Sequence, residues 1–142
     1  HNDNEARSFG VEIAANWEVL PHWQLGASYS FLDLKFDKAD SLGFPLGGKA
    51  PEQQFNLRST ALLPYDLEMN NMLYFVDQLP GITIGDYFRF DTRLGWKPIS
   101  GVELSLVGQN LFDPSHPEFS GFLYQSNTQV PRSVYAMATF RF

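Results

Sequence analysis

Apolar and polar residues alternate along this chain with a period of two, in runs that are long for any β-protein. Successive side chains of a strand point to opposite faces, so this period predicts strands and not helices. Each predicted strand has about 11 to 13 residues, where strands usually have about five or six. The pattern continues to the last residue, which is Phe142.

The alternation predicts seven strands joined by two kinds of connection. Three connections are short, each with a proline at the turn (LPHW, LPYDL and KPISGV), and three are long and rich in Gly, Pro, Ser, Asp and Asn. Short and long connections alternate strictly, which predicts an all-β, antiparallel up-and-down meander with its long loops at one end. The strands are expected at 8–20, 23–36, 53–64, 67–78, 87–97, 102–113 and 132–142, and the long loops at 37–52, 79–86 and 114–131.

Along one face of the seven predicted strands, 36 positions lie in uncharged stretches. At the chain average of 18% charged residues, about six of these 36 positions would be charged, yet none is. The 36 positions include Asn110, taken as the last residue on this face of the sixth strand. The opposite face carries the charges, which we interpret as a lattice lining a lumen, in contact with a plug or a transport path. Its members are Glu12, Arg58, Glu68, Arg89, Asp91, Arg93, Glu103 and Arg141.

Alternation alone fits both a soluble ligand-binding barrel and a transmembrane barrel, which differ in the face that points outward. Twelve residues at about 3.3 Å each, tilted by about 45°, rise about 28 Å and span a hydrocarbon core. Trp17, Trp23 and Trp96 lie beside the short turns on the uncharged face, as aromatic residues do at a membrane interface. Strand length and tryptophan placement favour the transmembrane barrel.

Composition and motifs argue against several other classes. A net charge of −6 with scattered Lys and Arg excludes an extended nucleic-acid surface. The chain has no cysteine, and His22 and His116 are expected at opposite ends of the sheet, so no metal site is predicted. The near match to a phosphate-binding loop at 43–50 lacks the hydroxyl residue after Lys49. We therefore expect no catalytic residues, no metal and no cofactor.

Several segments resemble known outer-membrane proteins. The closing VYAMATFRF is similar to the last strand of bacterial outer-membrane barrels, which ends in an aromatic residue. GVELSLVGQNLFDPSHPEF, with Asn110-Leu111-Phe112-Asp113, resembles the penultimate strand and last loop of TonB-dependent receptors. FRFDTRLGWKP at 88–98 and SFGVEIAANWEV at 8–19 are similar to other strands of the same barrels.

The resemblance implies that residues 1–142 are a C-terminal fragment of such a receptor's barrel, in the bacterial outer membrane, with the plug and the N-terminal strands absent from the chain. An odd number of antiparallel strands cannot close by itself. The implied partners are outer-membrane lipid, the missing plug and barrel strands, the energy-transducing TonB complex acting through the missing N-terminal part, and the assembly machinery. Phe140 and Phe142 would form the signal that this machinery reads.

The implied function is energy-dependent uptake of a scarce nutrient such as an iron chelate. Two alternatives stay open at the sequence level. One is an outer-membrane barrel without a plug, such as a passive porin-like channel or a membrane-anchored enzyme. The other, less favoured, is a soluble ligand-binding barrel.

Overall fold

The computed structural model describes residues 6–36, 50–79, 84–113, 115–119 and 128–142, and these form nine β-strands. Within that part of the chain, no helix has the length and apolar character needed to cross a membrane. The strands are β1 (Ala6–Leu20), β2 (Trp23–Phe36), β3 (Gln53–Leu63), β4 (Leu67–Val76), β5 (Tyr87–Ile99), β6 (Val102–Gln109), β7 (Ser115–Phe119), β8 (Thr128–Pro131) and β9 (Ser133–Phe140).

Seven of these strands form one antiparallel sheet, in the order β1-β2-β3-β4-β5-β6-β9. Every neighbour in the sheet is also the next large strand along the chain, which confirms the predicted meander. In the described residues, β1 and β9 each pair on one side and form the two edges of the sheet. Most of loop 37–52 and the centre of loop 79–86 lie outside the described residues.

The structure differs from the sequence prediction at the end of the chain. The sixth strand ends at Gln109, four residues early, because Asn110 takes the left-handed conformation with φ of 52°. The predicted loop 114–131 contains a small sheet of its own, formed by β7 and β8. The last strand ends at Phe140, although the backbone N–H of Arg141 still donates to the carbonyl of Gly101 over 2.8 Å.

The short turns have the backbone conformations that tight hairpins need. Tyr65 and Asp66 both have positive φ, at 66° and 57°, which suits the twist of the strands they connect. Gly101 has φ of 79°, and a Cβ atom there would lie 2.7 Å from the Arg141 carbonyl oxygen. Only glycine fits this turn, which holds β6 against β9.

The register places like residues beside like across the whole sheet. Ala27, Leu57, Leu73 and Phe90 are successive Cα partners on one face, while Gly26, Arg58, Met72 and Asp91 are partners on the other. The first face is called the apolar face below and the second the polar face. The sequence pattern and the hydrogen-bonded register therefore agree on which residues share a side.

Exposure of the two faces is inverted relative to a water-soluble protein. On β6, Leu106 is 53% exposed on the apolar face, whereas its neighbour Ser105 is only 8% exposed on the polar face. Among the described residues, the buried hydrophobic side chains are Leu79, Ile84 and Val107. So large an apolar surface is far more than a soluble monomer normally leaves in water.

Candidate functional site on the polar face

All eight predicted charged residues lie on the polar face. The pairing places them in β1, β3, β4, β5 and β6 and just after β9, with no change of side from strand to strand. The structure brings six of them into two groups, one toward the long loops and one toward the short turns. Glu12 and Arg58 make no ion pair with a described residue. The groups are a turn-side cluster of Glu68, Arg93, Glu103 and Arg141, and a loop-side cluster of Arg89 and Asp91.

The turn-side cluster is built around Arg93 of β5. Its Nη1 lies 3.4 Å from Oε1 of Glu68 on β4, and its Nη2 forms an ion pair with Oε1 of Glu103 on β6. Arg141 Nη2 lies 4.0 Å from the other oxygen of Glu103, Oε2, but this arginine is largely exposed. One guanidinium thus ties three strands together, and the cluster is neutral overall.

A glycine and two polar neighbours hold the turn-side cluster in place. Gly95 faces the same side as Arg93, and a Cβ atom there would lie 2.9 Å from Arg93 Nη1, so the guanidinium occupies the space that a side chain would fill. Asn70 donates to Glu68 Oε1 over 2.7 Å and accepts from Thr60 Oγ1 over 2.9 Å. These hydrogen bonds extend the cluster to β3, and Glu68 Oε1 accepts from both Asn70 and Arg93.

The loop-side cluster joins Arg89 and Asp91, two residues apart on β5. Arg89 Nε lies 3.0 Å from both carboxylate oxygens of Asp91, and its Nη2 donates to Oδ2 over 2.7 Å. The guanidinium also stands 5.8 Å from the ring centre of Tyr74, within cation–π range. Asp91 has one more donor, the backbone N–H of Asn110, at 2.9 Å.

Asn110 connects this cluster to the last loop. Its side chain is fully buried, and its Nδ2 donates to the carbonyl of Val130 in β8 over 2.8 Å, while its Oδ1 has no hydrogen-bond partner. The prediction that Asn110 belongs to the apolar face is therefore wrong. The left-handed backbone turns the residue inward, and asparagine tolerates that conformation better than most residues.

The residues after Asn110 fold back over the apolar face. The Leu111 N–H donates to the Phe90 carbonyl over 2.9 Å, and the Leu111 side chain covers Gly108. Phe112 stacks on Phe90 with ring centres 4.8 Å apart. Asn110 on the polar side and Leu111 and Phe112 on the apolar face therefore cover the outer end of β6. The motif was visible in the sequence, but the residues it would contact were not.

The polar-face charges on the first three strands, Glu12, Glu18 and Arg58, make no ion pair with a described residue. Arg58 lies beside Gly26, where a Cβ atom would be 2.9 Å from Asn16 Oδ1 and 3.6 Å from Arg58 Nη2. The shallow depression there has a volume of about 510 Å³ and is lined by Asn16, Glu18, Gly26 and Arg58 among others. Polar groups are thus available on this part of the face for another protein segment or for solutes.

The described residues do not bring a set of metal ligands together. They contain no group of three His, Asp or Glu residues placed to hold a metal ion. His22 lies in the short turn between β1 and β2, and residue 116 lies in β7 at the other end of the sheet. His1 and most of the near phosphate-binding loop at 43–50 lie outside the described residues.

The predicted interface tryptophans lie at the short-turn end of the apolar face. Trp17 is 65% exposed and Trp96 44%. Trp23 is half-buried, and its Nε1–H donates to Ser59 Oγ over 3.0 Å, so this group is committed within the protein. At the chain end, the Phe140 and Phe142 side chains are both exposed. The roles of these five residues stay predictions.

A second aromatic band, which the sequence analysis missed, crosses the outer end of the apolar face. Tyr29, Phe55, Phe75 and Phe88 are successive Cα partners on β2 to β5, and the Phe75 and Phe88 rings lie 4.9 Å apart. On β3, Phe55 of this band lies eight residues from Leu63 at the short-turn end of the strand, or about 26 Å along it. Only the register aligns these residues, which is why strand-by-strand reading did not find the band.

Beyond this band the apolar face becomes charged. Asp33 and Lys35 of β2 form an ion pair of 2.9 Å on that side, beside Phe9 and Arg7 of β1. From Trp23 to Asp33 the rise is about 23 Å at a 45° tilt, close to the apolar band of about 25 Å in outer-membrane barrels.

Comparison with known proteins agrees with this geometry. The family model described as TonB dependent receptor-like, beta-barrel matches residues 1–111. The fold is similar to a chain in the structure of the FpvAI–pyocin S2 complex, with a TM-score of 0.75 and 19% identity, over 94% of this chain and 19% of that one. The chain thus spans about a fifth of the length of that solved chain. No curated protein matches it. With a family match over most of its length and the two-faced sheet expected of a barrel wall, the chain belongs to the family of TonB-dependent receptor-like β-barrels.

Proposed function

We propose that this chain forms part of the wall of an outer-membrane receptor that takes up a scarce nutrient, such as an iron chelate, with energy supplied from the inner membrane. The observation that carries the proposal is the inverted sheet, in which large apolar side chains are exposed and six of the eight predicted charged residues are ion-paired on the other face. A barrel in lipid needs this arrangement. On this proposal, residues 1–142 are the C-terminal part of the barrel, and the plug and earlier strands belong to the rest of the receptor.

The polar face is proposed to contact the plug. In the turn-side cluster the side chains of Glu68, Arg93 and Glu103 are each about a fifth to a third exposed, so they are held in place yet still accessible. Glu12 and Arg58 make no ion pair with a described residue and can pair with groups on the plug. A neutral, pre-ordered lattice with a few free charges suits contact with a protein surface, because little side-chain ordering is left to be done on binding.

The loop-side cluster is proposed to position the last external loop at the entrance of the receptor. Asn110 bonds to Asp91 of the wall and to Val130 of β8. A loop fixed at its base presents the same surface to each incoming ligand. Loops held by a rigid scaffold are common binding elements.

The remaining partners follow from the same proposal. Outer-membrane lipid covers the apolar face, and the TonB complex acts through the N-terminal part of the receptor. The assembly machinery reads the terminus with Phe140 and Phe142. The location proposed for the protein is the outer membrane of a Gram-negative bacterium.

The test uses the full-length receptor expressed in a strain without its own uptake receptors. Accumulation of a radiolabelled iron chelate is measured with and without a protonophore, and a small sugar serves as the control solute. We expect chelate uptake that the protonophore abolishes, and no receptor-dependent sugar uptake. Uptake that continues without energy would support a passive channel instead, and energy-dependent uptake of another nutrient only would overturn the iron-chelate assignment.

A pair of variants tests the role of the polar face. Arg93→Gln removes the charge that joins three strands, while Arg7→Gln removes an exposed charge from the outer end of the apolar face. We expect lower uptake for Arg93→Gln at equal surface levels of receptor, and unchanged uptake for Arg7→Gln. Equal uptake by both variants would contradict the proposed role of the cluster.

A further inference from the structure

A cleft crosses the loop-side half of the polar face, from β1 to β4, and is called the outer cleft below. Two rows of side chains form its walls, and both rows follow the hydrogen-bonded register from strand to strand. Its volume is about 600 Å³, within the usual range of small-molecule sites. The row toward the loops is Glu12, Ser30, Gln54 and Val76, and the row toward the short turns is Ala14, Ser28, Asn56 and Tyr74.

The floor of the outer cleft shows how deep it lies in the wall. Between the two rows lie Ile13, Tyr29, Phe55 and Phe75, whose side chains point to the apolar face because successive residues of a strand face opposite sides. The last three belong to the aromatic band at the outer end of that face, and such a band marks the level of a membrane interface. The cleft therefore opens near the outer mouth of the lumen, on the side from which a nutrient arrives.

Most polar groups of the outer cleft are not used within the described wall. The side chains of Ser28, Ser30, Gln54 and Asn56 make no hydrogen bond with a described residue. On β4 to β6, in contrast, the charged groups of the polar face are tied up in the two ion-paired clusters. Hydroxyl and amide side chains both donate and accept, so this part of the wall suits a ligand with hydroxyl or amide groups on its periphery.

The outer cleft carries a negative charge. Glu12 is the one charged residue among the described residues that line it, and its side chain is exposed. Arg89 is the next residue after Tyr74 in the row toward the short turns, but its charge is balanced by the carboxylate of Asp91. Arg58 lies one row closer to the short turns. A ligand in the cleft thus meets a carboxylate that no described basic side chain neutralises.

We propose that the outer cleft selects the nutrient by charge, and that it takes a neutral or positively charged chelate with hydroxyl or amide groups on its periphery. The proposal rests on the proposed function, in which the nutrient is an iron chelate. Glu12 is the specificity-determining residue, because its carboxylate attracts a cationic ligand and repels an anionic one. When the cleft is empty, the same carboxylate can contact the plug.

Three ferric chelates that share one iron centre test the charge of the ligand alone. The first is the ferric complex of a linear trihydroxamate with a free terminal amine, which is cationic. Acetylating the amine gives a neutral complex, and succinylating it gives an anionic one. Energy-dependent accumulation of each labelled chelate is measured over a range of concentrations, with the full-length receptor in a strain without its own uptake receptors. We expect the apparent affinity to fall in the order cationic, neutral, anionic.

Variants of Glu12 show whether this part of the wall sets the order. Glu12→Gln should weaken the apparent affinity for the cationic chelate about five-fold and leave that for the neutral one unchanged. Glu12→Lys should make the anionic chelate the preferred one. Glu18→Gln is the matched control, because it removes the same charge from the same face of β1, six residues or about 20 Å closer to the short turn. A merely structural role of Glu12 would change the affinity for all three chelates alike.

The outcomes separate this inference from the proposed function. Equal affinity for the three chelates, a preference for the anionic one, or an order that Glu12→Lys leaves unchanged would each overturn the selection by charge, although uptake itself continues. A trianionic ferric tris-catecholate is the fourth solute, and a preference for it over the cationic chelate would also overturn the inference. If none of the four accumulates in an energy-dependent way, the proposed function fails and this inference fails with it.

Discussion

Asn110→Asp changes one atom of a buried junction, and its effect follows from the hydrogen bonds around that atom. The Nδ2 that donates to the Val130 carbonyl over 2.8 Å becomes an oxygen, so two acceptors would face each other. The residue is fully buried, its backbone already donates to the Asp91 carboxylate, and its Oδ1 has no partner. A second carboxylate there is both desolvated and close to a like charge, and each of these disfavours the ionised form.

The expected penalty is set by the cost of protonating the new carboxyl. A protonated carboxyl can donate to Val130 in place of the amide, so the variant keeps the junction by binding a proton. With an ordinary pKa of about 3.9, this costs about 4 kcal/mol at pH 7 and about 1.5 kcal/mol at pH 5. The folded form raises the pKa of the new group and binds more protons than the unfolded form. The loss of stability therefore grows as pH rises above about 4 and shrinks as pH falls.

The assay follows cleavage of the last loop, 114–131, by an added protease in vesicles that contain the full-length receptor, from pH 5 to pH 7.5. Faster cleavage at the higher pH reports an undocked loop. Asn16→Asp is the matched control, because it makes the same change at an exposed position of the polar face near Arg58. Equal cleavage rates in the two variants at pH 7, or an effect of Asn110→Asp that does not decrease toward pH 5, would refute the role assigned to the junction.

Three further predictions concern the apolar face, the terminus and the isolated chain. Leu106→Arg, at a 53% exposed position, should destabilise the receptor in vesicles by about 2–3 kcal/mol. Ser28→Arg, on the exposed polar face, should cost less than about 1 kcal/mol, and a reversed order would contradict the assignment of the faces. Deleting Phe142, which is fully exposed, should lower the amount of folded receptor that reaches the membrane without changing its stability once folded. Equal amounts of folded receptor with and without Phe142 would count against an assembly signal. The isolated chain should sediment as aggregates without detergent, and a compact 16.1 kDa monomer would overturn the membrane interpretation.

The sequence was sufficient for the strands and the faces because both depend on local pattern. Six of the seven predicted strands end within about two residues of the observed strands, since the turns between them carry proline, glycine or residues that accept positive φ. The side of each charged residue followed from the period of two alone. An error of one residue would have reversed every side chain of a strand, and the register shows that none occurred at the eight charged sites.

Features that depend on two strands at once were not predictable in this way. The aromatic band from Tyr29 to Phe88 exists only because four registers place its members in one row. The reach of Arg93 to both Glu68 and Glu103 depends on the open space at Gly95, and no single strand reveals that contact. Asn110 was misplaced for the same reason, because its partners Asp91 and Val130 lie 19 and 20 residues away along the chain.

Two opposite folds share the pattern of this chain, and the energetics of its charges separate them. A soluble barrel would place the polar face in water and the apolar face in its core, which would leave the Arg93 ion pairs at the surface, where such pairs contribute about 0–1 kcal/mol. In the observed sheet those side chains are partly shielded by their neighbours, while Leu106 and Trp17 are exposed. Lipid is the medium that makes exposure of the leucine and tryptophan favourable.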